Sequence, residues 1–245
     1  MRLPTILLAL VGLALVSGCA TSYIPPSGRA DLAGISSFSM RESFAAKPAA
    51  GFPAGIAAVR VQAPHYRSYR TERDGGVHGH GRYSVITVKE VEEDAELQRL
   101  AKLPQVGGLI TISTLLLPEK LQADLELREA AARLKADMVL LYTFNTSFHD
   151  NDASVALNIV TLGLIPTRQV FVRVAASALL IDTRTGFIYS ALEANERRQI
   201  TTNAWESRES ADRARRDAEK AAFKSLVGEF EKSWPQVVER AKKGA

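Results

Sequence analysis

The chain has a single cysteine, Cys19, in 245 residues. No intrachain disulfide is therefore available, and stability has to come from packing. Also missing is an apolar run of about 20 residues, the length a bilayer-spanning helix requires. The stretch Leu3 to Val16 falls short of that length and is interrupted by Pro4 and Thr5, and no stop-transfer segment follows it. Charge of one sign is scarce: 31 Lys and Arg stand against 27 Asp and Glu, a formal net charge of +4. So small an excess gives no argument for nucleic acid as a partner. It permits at most a mild attraction to anionic envelope polymers. A Gly-x-Ser-x-Gly elbow, a P-loop and a Gly-x-Gly-x-x-Gly fingerprint are all absent, which removes the common signatures of hydrolases and nucleotide-binding enzymes. What remains is 46% hydrophobic and 24% charged, the composition of a folded domain of ordinary size.

The amino-terminal residues carry an address. Arg2 supplies a positive start, Leu3 to Val16 an apolar stretch, and Leu15-Val16-Ser17-Gly18-Cys19 closes it with two small residues and the cysteine. The order of charge, apolar stretch and small residues is that of a secretory signal. The last five residues resemble the lipobox of bacterial lipoproteins. That resemblance implies removal of residues 1–18, a diacylglyceryl group on the Cys19 thiol and an acyl group, palmitate in kind, on the new amino terminus. Each buried methylene contributes about 0.8 kcal/mol, so two or three chains hold a protein firmly where one does not. Position 20 is Ala rather than Asp, which by the same resemblance favours the outer membrane over inner-membrane retention. The expected location is the periplasmic face of the outer membrane, by lipid anchor. Cys19, as the lipidation site, is the one site residue the sequence assigns.

Residues 19–54 read as a lipidated amino terminus and flexible tether. Ala, Ser, Gly and Pro dominate, with Pro25-Pro26, Pro48 and Pro53 as breakers. Phe38, Met40 and Phe44 are the apolar exceptions with the means to dock on the domain. Residues 55–245 read as one folded domain. Ile56–Ala63 and Tyr83–Glu90 are expected strands, separated by a loop with four glycines from Asp74 to Gly81. Glu92 to Lys102 is an expected helix, with Glu92, Glu93 and Asp94 favouring its amino terminus. Val106–Leu117 is an expected buried strand. Pro118 then opens an expected helix over Glu119–Ala136 that packs through Leu127, Ala130, Ala131 and Leu134. Met138–Phe144 is a continuous apolar strand, and Asn145 to Arg168 reads as irregular. Gln169–Asp182 and Phe187–Ala194 form a strand pair around Thr183-Arg184-Thr185-Gly186, where Gly186 is placed to take a positive φ. From Trp205 to Lys242 a helical stripe runs through Ala214, Ala218, Ala222, Leu226 and Phe230 and on through Trp234, Val237 and Ala241, with Pro235 expected to kink or restart it. Interleaved helices and strands predict an α/β fold: a single mixed-sheet layered domain with flanking helices and a long C-terminal helix, after a signal peptide and flexible tether.

Two segments carry a resemblance. Leu127 to Asp137, feeding Met138-Val139-Leu140-Leu141-Tyr142, reads as a helix ending in a small-residue–Asp pair before a buried strand. Ser177 to Tyr189 contains Ile181-Asp182-Thr183-Arg184-Thr185-Gly186, an Asp-x-x-Thr-Gly hairpin. In this order, after a lipobox, they resemble the curli-secretion-channel lipoprotein superfamily, whose relatives include lipoprotein activators of penicillin-binding proteins and the amino-terminal domain of the Tol translocation protein. The resemblance implies a small α/β sandwich, and its motifs are fold motifs rather than catalytic ones. The curli channel resembles a pore built from inserted amphipathic hairpins. Here the comparable insertion is Asn145–Arg168, in which Ala153–Ile165 alternates imperfectly, so a loop or edge strand is the expectation.

The candidates for chemistry are thin. His78-Gly79-His80 places two histidines at i, i+2, but a catalytic zinc needs about three protein ligands, and only His65 and His149 remain. A solvated turn is the expectation. Asp150 and Asp152 lack the rest of a calcium loop. Arg213, Arg215, Arg216, Lys220 and Lys224, interspersed with Asp212, Asp217 and Glu219, read as a solvated helix face. Trp205 and Trp234 read as core or cap anchors. The expected function is a non-enzymatic, membrane-anchored binding or scaffold domain serving envelope assembly, with no cofactor or metal. Its expected partners are the membrane, through the anchor, and an envelope protein or a further copy of itself. The alternative is an oligomeric outer-membrane secretion or export channel subunit.

Overall fold

The computed structural model describes residues 26–36, 39–88, 90, 91, 93–151, 167–203 and 208–244. Cys19 therefore lies outside the described residues, as do Phe38, Glu92, Asp152, Ala153–Ile165 and Trp205. In chain order the elements are α1 (Leu32–Ile35), α2 (Met40–Ala45), β1 (Ala54–Gln62), α3 (Tyr69–Asp74), β2 (Val77–His78), β3 (His80–Gly81), β4 (Ser84–Ile86), α4 (Asp94–Ala101), β5 (Val106–Thr111), β6 (Lys120–Leu121), α5 (Asp124–Arg133), β7 (Met138–Asn151), β8 (Thr167–Asp182), β9 (Ile188–Asn203) and α6 (Arg208–Gly244). The domain is mixed α/β.

The main sheet runs β2-β4-β1-β7-β8-β9, with β5 also on β1. β1 pairs parallel with β7 and β5 and antiparallel with β4, and β7, β8 and β9 pair antiparallel. The two faces of the sheet bury separate sets of side chains. Ile56, Ala58, Met138, Leu140, Tyr142 and Phe144 point to the face covered by α4 and α6. Ala57, Val59, Val61, Val139 and Leu141 point to the opposite face, against Leu127, Ala130 and Ala131 of α5. Strands covered on both faces need apolar residues in both parities, which is why β1 and the first half of β7 read as continuous apolar runs. The α6 stripe is buried from Ala218 through Ala241. Phe230 and Trp234 stack at 5.5 Å, and the indole N–H donates to the Pro104 carbonyl at 2.7 Å. Pro235 sits inside a continuous helix and does not restart it.

Several boundaries differ from the sequence expectation. Two parts of the expected tether, residues 27–35 and 47–54, are fastened to the domain rather than free. Arg29 bridges Gln62, the Ala30 N–H donates to Thr143 Oγ1 at 3.0 Å, and Ala30 and Ile35 are buried. Small residues give little hydropathy signal, yet they let a backbone lie close against a sheet. Met40 and Phe44 do not dock: they are 79% and 87% exposed. The strand expected at Tyr83–Glu90 shrinks to β4. The strand expected to be buried over Val106–Leu117 ends at Thr111, lies at a sheet edge with most residues half-buried or exposed, and is followed by a 3₁₀ turn over Thr114–Leu116. The helix expected from Glu119 starts at Asp124, because Glu126 accepts from the backbone N–H groups of Gln122 and Ala123 and fixes the start there. Asn145–Asn151 is not irregular but continues β7, paired to β8 as far as Asn151↔Gln169. β9 likewise runs on to Asn203.

Candidate functional site: a buried ion network beneath a cleft in the sheet edge

β1 changes partner along one edge. β5 pairs with Ala54–Ala58 and β4 with Val61–Gln62. Where the two partners part, beside Val59 and Arg60, a cleft of about 290 Å³ opens, lined by Arg60, Glu93, Thr87, Thr111, Ser113 and Tyr142 among others. Arg60 is buried, its guanidinium 4.8 Å from the Phe144 ring centre.

Behind the cleft lies a chain of charges. Arg60 reaches Glu90 at 3.3 Å, Glu219 at 3.5 Å and Glu93 at 3.6 Å. Arg215 of α6, with no exposed surface, donates to Glu219 at 2.9 Å, to Glu90 at 3.2 Å and to Asp212 at 3.0 Å. Arg216 caps the far side of Asp212 at 3.1 Å. Neutral donors complete the set: Thr146 donates to Glu219 at 2.7 Å, and Ser68 and Tyr66 donate to Glu90. The network thus joins β1, β7, the 66–68 and 90–93 segments and α6.

Burial pulls against charge at each member. Burial alone would raise the Glu90 carboxyl, but Arg60 and Arg215, with the Ser68 hydroxyl, outweigh it and hold it below the usual range. For Glu93 burial wins over Arg60 and pushes the carboxyl up. Burial would lower both guanidinium groups, but the surrounding carboxylates keep them firmly charged. The phenols of Tyr66 and Tyr142 are pushed up, chiefly by burial. If Glu93 carries a proton, three arginines face three carboxylates and the set is neutral.

Nη1 and Nε of Arg60 and Oε1 of Glu93 lack a hydrogen-bond partner. Arg60 Nη1 and Glu93 Oε1 face each other at 3.6 Å, an ion pair longer than a hydrogen bond.

A second fixed point lies at the β8–β9 turn. Asp182 is buried and accepts from the N–H groups of Arg184 and Thr185 at 2.9 Å each, from Ala49 N–H at 2.7 Å and from the Tyr189 hydroxyl at 2.7 Å. Gly186 has φ +71°, the left-handed value that favours glycine. The Asp-x-x-Thr-Gly segment is thus a turn that also fastens the 46–50 segment. A larger groove of about 570 Å³, lined by Leu32, Ala33, Leu179, Ile188 and Ala191 among others, lies on the opposite face, away from the ion network.

The residues singled out in the sequence fare differently. His78 and His80 fall in β2 and β3, and His78 Nε2 lies 3.1 Å from the Pro118 carbonyl. Among the described residues no group of three or more His, Cys, Asp or Glu is placed to hold a metal. Glu93 is not a simple charge at a helix start but a buried member of the network. Arg215, expected on a solvated face, is buried with Asp212 and Glu219. The signal was present: residues 215, 218, 219 and 222 fall at i, i+3, i+4, i+7, on the face of the buried alanines. Trp234 is a core anchor.

Among the described residues no helix is long and apolar enough to cross a membrane. No protein-family model matches the chain, and no curated protein matches it in sequence. Solved structures similar to it include a DUF330-family protein from Xanthomonas campestris, at 11% identity and TM-score 0.36 over 80% of this chain and 92% of that one. A neuraminyllactose-binding hemagglutinin homologue from Helicobacter pylori gives 10% and 0.36 over 81% and 95%. The lipoprotein GNA1162 from Neisseria meningitidis gives 14% and 0.30 over 65% and 90%. At these TM-scores none of the likenesses bears on what this chain does.

Proposed function

We propose that the chain is a bacterial envelope lipoprotein, cleaved after Gly18, acylated at Cys19 and held at the periplasmic face of the outer membrane, whose α/β domain binds or positions another envelope component without catalysing a reaction. The observation that carries this reading is the lipobox ending in the chain's one cysteine. The ionisable groups beneath the cleft support the non-catalytic half, because they are spent on holding α6 to β1. Labelled palmitate tests the anchor: the parent chain should take up label and sediment with membranes, and Cys19→Ser should do neither while keeping its fold. A Cys19→Ser chain that still carries label or stays with membranes refutes the proposal.

The second reading is an export channel subunit. It draws on the pairing of β7 and β8 out to Asn151↔Gln169, which puts residues 152–166 at the connection of a long hairpin. Ring-shaped, detergent-stable oligomers that lose membrane insertion when 152–166 is deleted would favour it. A chain unaffected by the deletion rules it out.

A further inference from the structure

β9 is an edge of the main sheet. β8 pairs with it from Thr167↔Asn203 to Ile181↔Ile188, and among the described residues no strand takes its other side. From Ser190 to Asn203 it has neither proline nor glycine, and its pairing to β8 is unbroken. The one register shift, between Leu180 and Ile181, lies at the other end, where Arg240 donates to the Tyr189 carbonyl at 3.0 Å. Such an edge presents a row of backbone donors and acceptors to any second strand.

Charged side chains ordinarily guard an edge of this kind, so the order of the charges on β9 decides its character. Ala191, Glu193, Asn195, Arg197 and Gln199 alternate along one face and are exposed. Arg197 already faces Arg173 of β8 across the ladder, and like charges in that position repel. The structure gives Arg197 a ring contact, with the Phe171 centre at 4.3 Å, and no carboxylate among the described residues.

We infer that β9 is a self-association edge, at which two copies of this chain pair antiparallel about a two-fold axis at Asn195. A two-fold interface is self-complementary, and in this register the charges of β9 complement themselves. Glu193 stands opposite Arg197 of the partner copy, and Arg197 opposite its Glu193, so each Arg197 gains a carboxylate that none of the described residues of its own chain supplies. Neighbouring registers lose this. Centring on Glu196 sets Glu196 against itself, centring on Arg197 sets Arg197 against itself, and centring on Ala194 leaves Arg197 opposite Ala191. Over Ser190–Ile200 the pairing makes about ten backbone hydrogen bonds between copies. The edge is there whether or not Cys19 carries lipid, so this inference does not depend on the anchor.

Cysteine variants of the full chain in detergent read the register directly. Opposed Cβ atoms in an antiparallel pair lie about 4.5–5.5 Å apart, close to disulfide reach. Under mild oxidation Asn195→Cys should give a covalent dimer on non-reducing gels beyond the level of the parent chain, which controls for Cys19. Glu193→Cys and Arg197→Cys should not do so alone but should when mixed. Charge reversal reads the energetics: Glu193→Arg and Arg197→Glu should each weaken association at least tenfold. Mixing the two should restore it, because every opposed pair is again of opposite sign. That restoration also shows that neither variant has merely misfolded. A parent chain that stays monomeric at high concentration, Asn195→Cys crosslinking no better than Glu193→Cys, or a mixture associating no better than its components overturns the inference.

Discussion

Replacing Arg215 by methionine tests the ion network most directly. The guanidinium is buried and serves three carboxylates at once, Asp212, Glu219 and Glu90. Methionine fills much of the volume but supplies no charge, so the three acids must remain buried with fewer partners. Removing one partner of a buried ion pair costs about 3–5 kcal/mol. Here the loss is cushioned: Glu90 and Glu219 keep Arg60, Asp212 keeps Arg216, and Glu219 keeps the Thr146 hydroxyl. The lower end, about 3 kcal/mol, is therefore expected. For a domain of this size that is a fall in Tm of roughly 6–12 °C. Urea unfolding of parent and variant at neutral pH measures it. A second arm checks the cause. As pH falls, Glu90, no longer held down by Arg215, takes up a proton more readily and its desolvation cost fades, so the gap between parent and variant should narrow. Adding Glu219→Gln to Arg215→Met removes one stranded charge and should recover part of the loss. A loss below about 1 kcal/mol, or a gap that does not shrink on acidification, would refute the view that charge pairing rather than packing sets the role of Arg215.

Two further outcomes follow from the same geometry. Burial raises the Glu93 carboxyl, so stability from this group is present below its ordinary value of 4.5 and drains as pH rises through the folded value. Glu93→Gln should therefore be more stable than the parent at pH 8 and equal to it near pH 4, read by thermal melts across that range. Asp182→Ala removes the acceptor of three backbone N–H groups and the Tyr189 hydroxyl. It should cost about 3 kcal/mol and speed hydrogen exchange at the Ala49 and Ala50 amides, which Asp182 and its partner Tyr189 accept from, and unchanged exchange there would count against Asp182 as the clasp on the 46–50 segment.

Much of this architecture was legible in the residues. The apolar runs of β1 and of β7 through Phe144 announce strands covered on both faces. The alanine stripe of α6 announces a long packed helix, and Gly186 marks the turn between β8 and β9. Other parts left weaker traces. β7 continues through Asn145–Asn151 because polar residues suffice on its exposed face while Thr146 and Phe148 turn inward, and so short an alternation resembles loop. The ion network was hidden because an arginine among aspartates and glutamates on a helix is usually solvated. Only its coincidence with the alanine stripe betrays it, and its partners at residues 60 and 90 are remote in sequence. Nothing in the composition of 26–54 distinguishes a free linker from one fastened to the domain at Arg29, Ala30 and Ala49.

That last segment sets a distance. A free tether from Cys19 to Ala54, fully extended, would reach about 120 Å. With the chain fastened from Arg29 and Ala30 onward, the ten residue steps from Cys19 to Arg29 could reach about 35 Å at most. Under the proposed anchor at Cys19, a domain on so short a leash would ride against the bilayer rather than sample the depth of the periplasm. Its encounters are then largely two-dimensional. Copies held in one thin layer meet at a local concentration far above their average in the compartment, and any partner that is not itself at the membrane has to come to it.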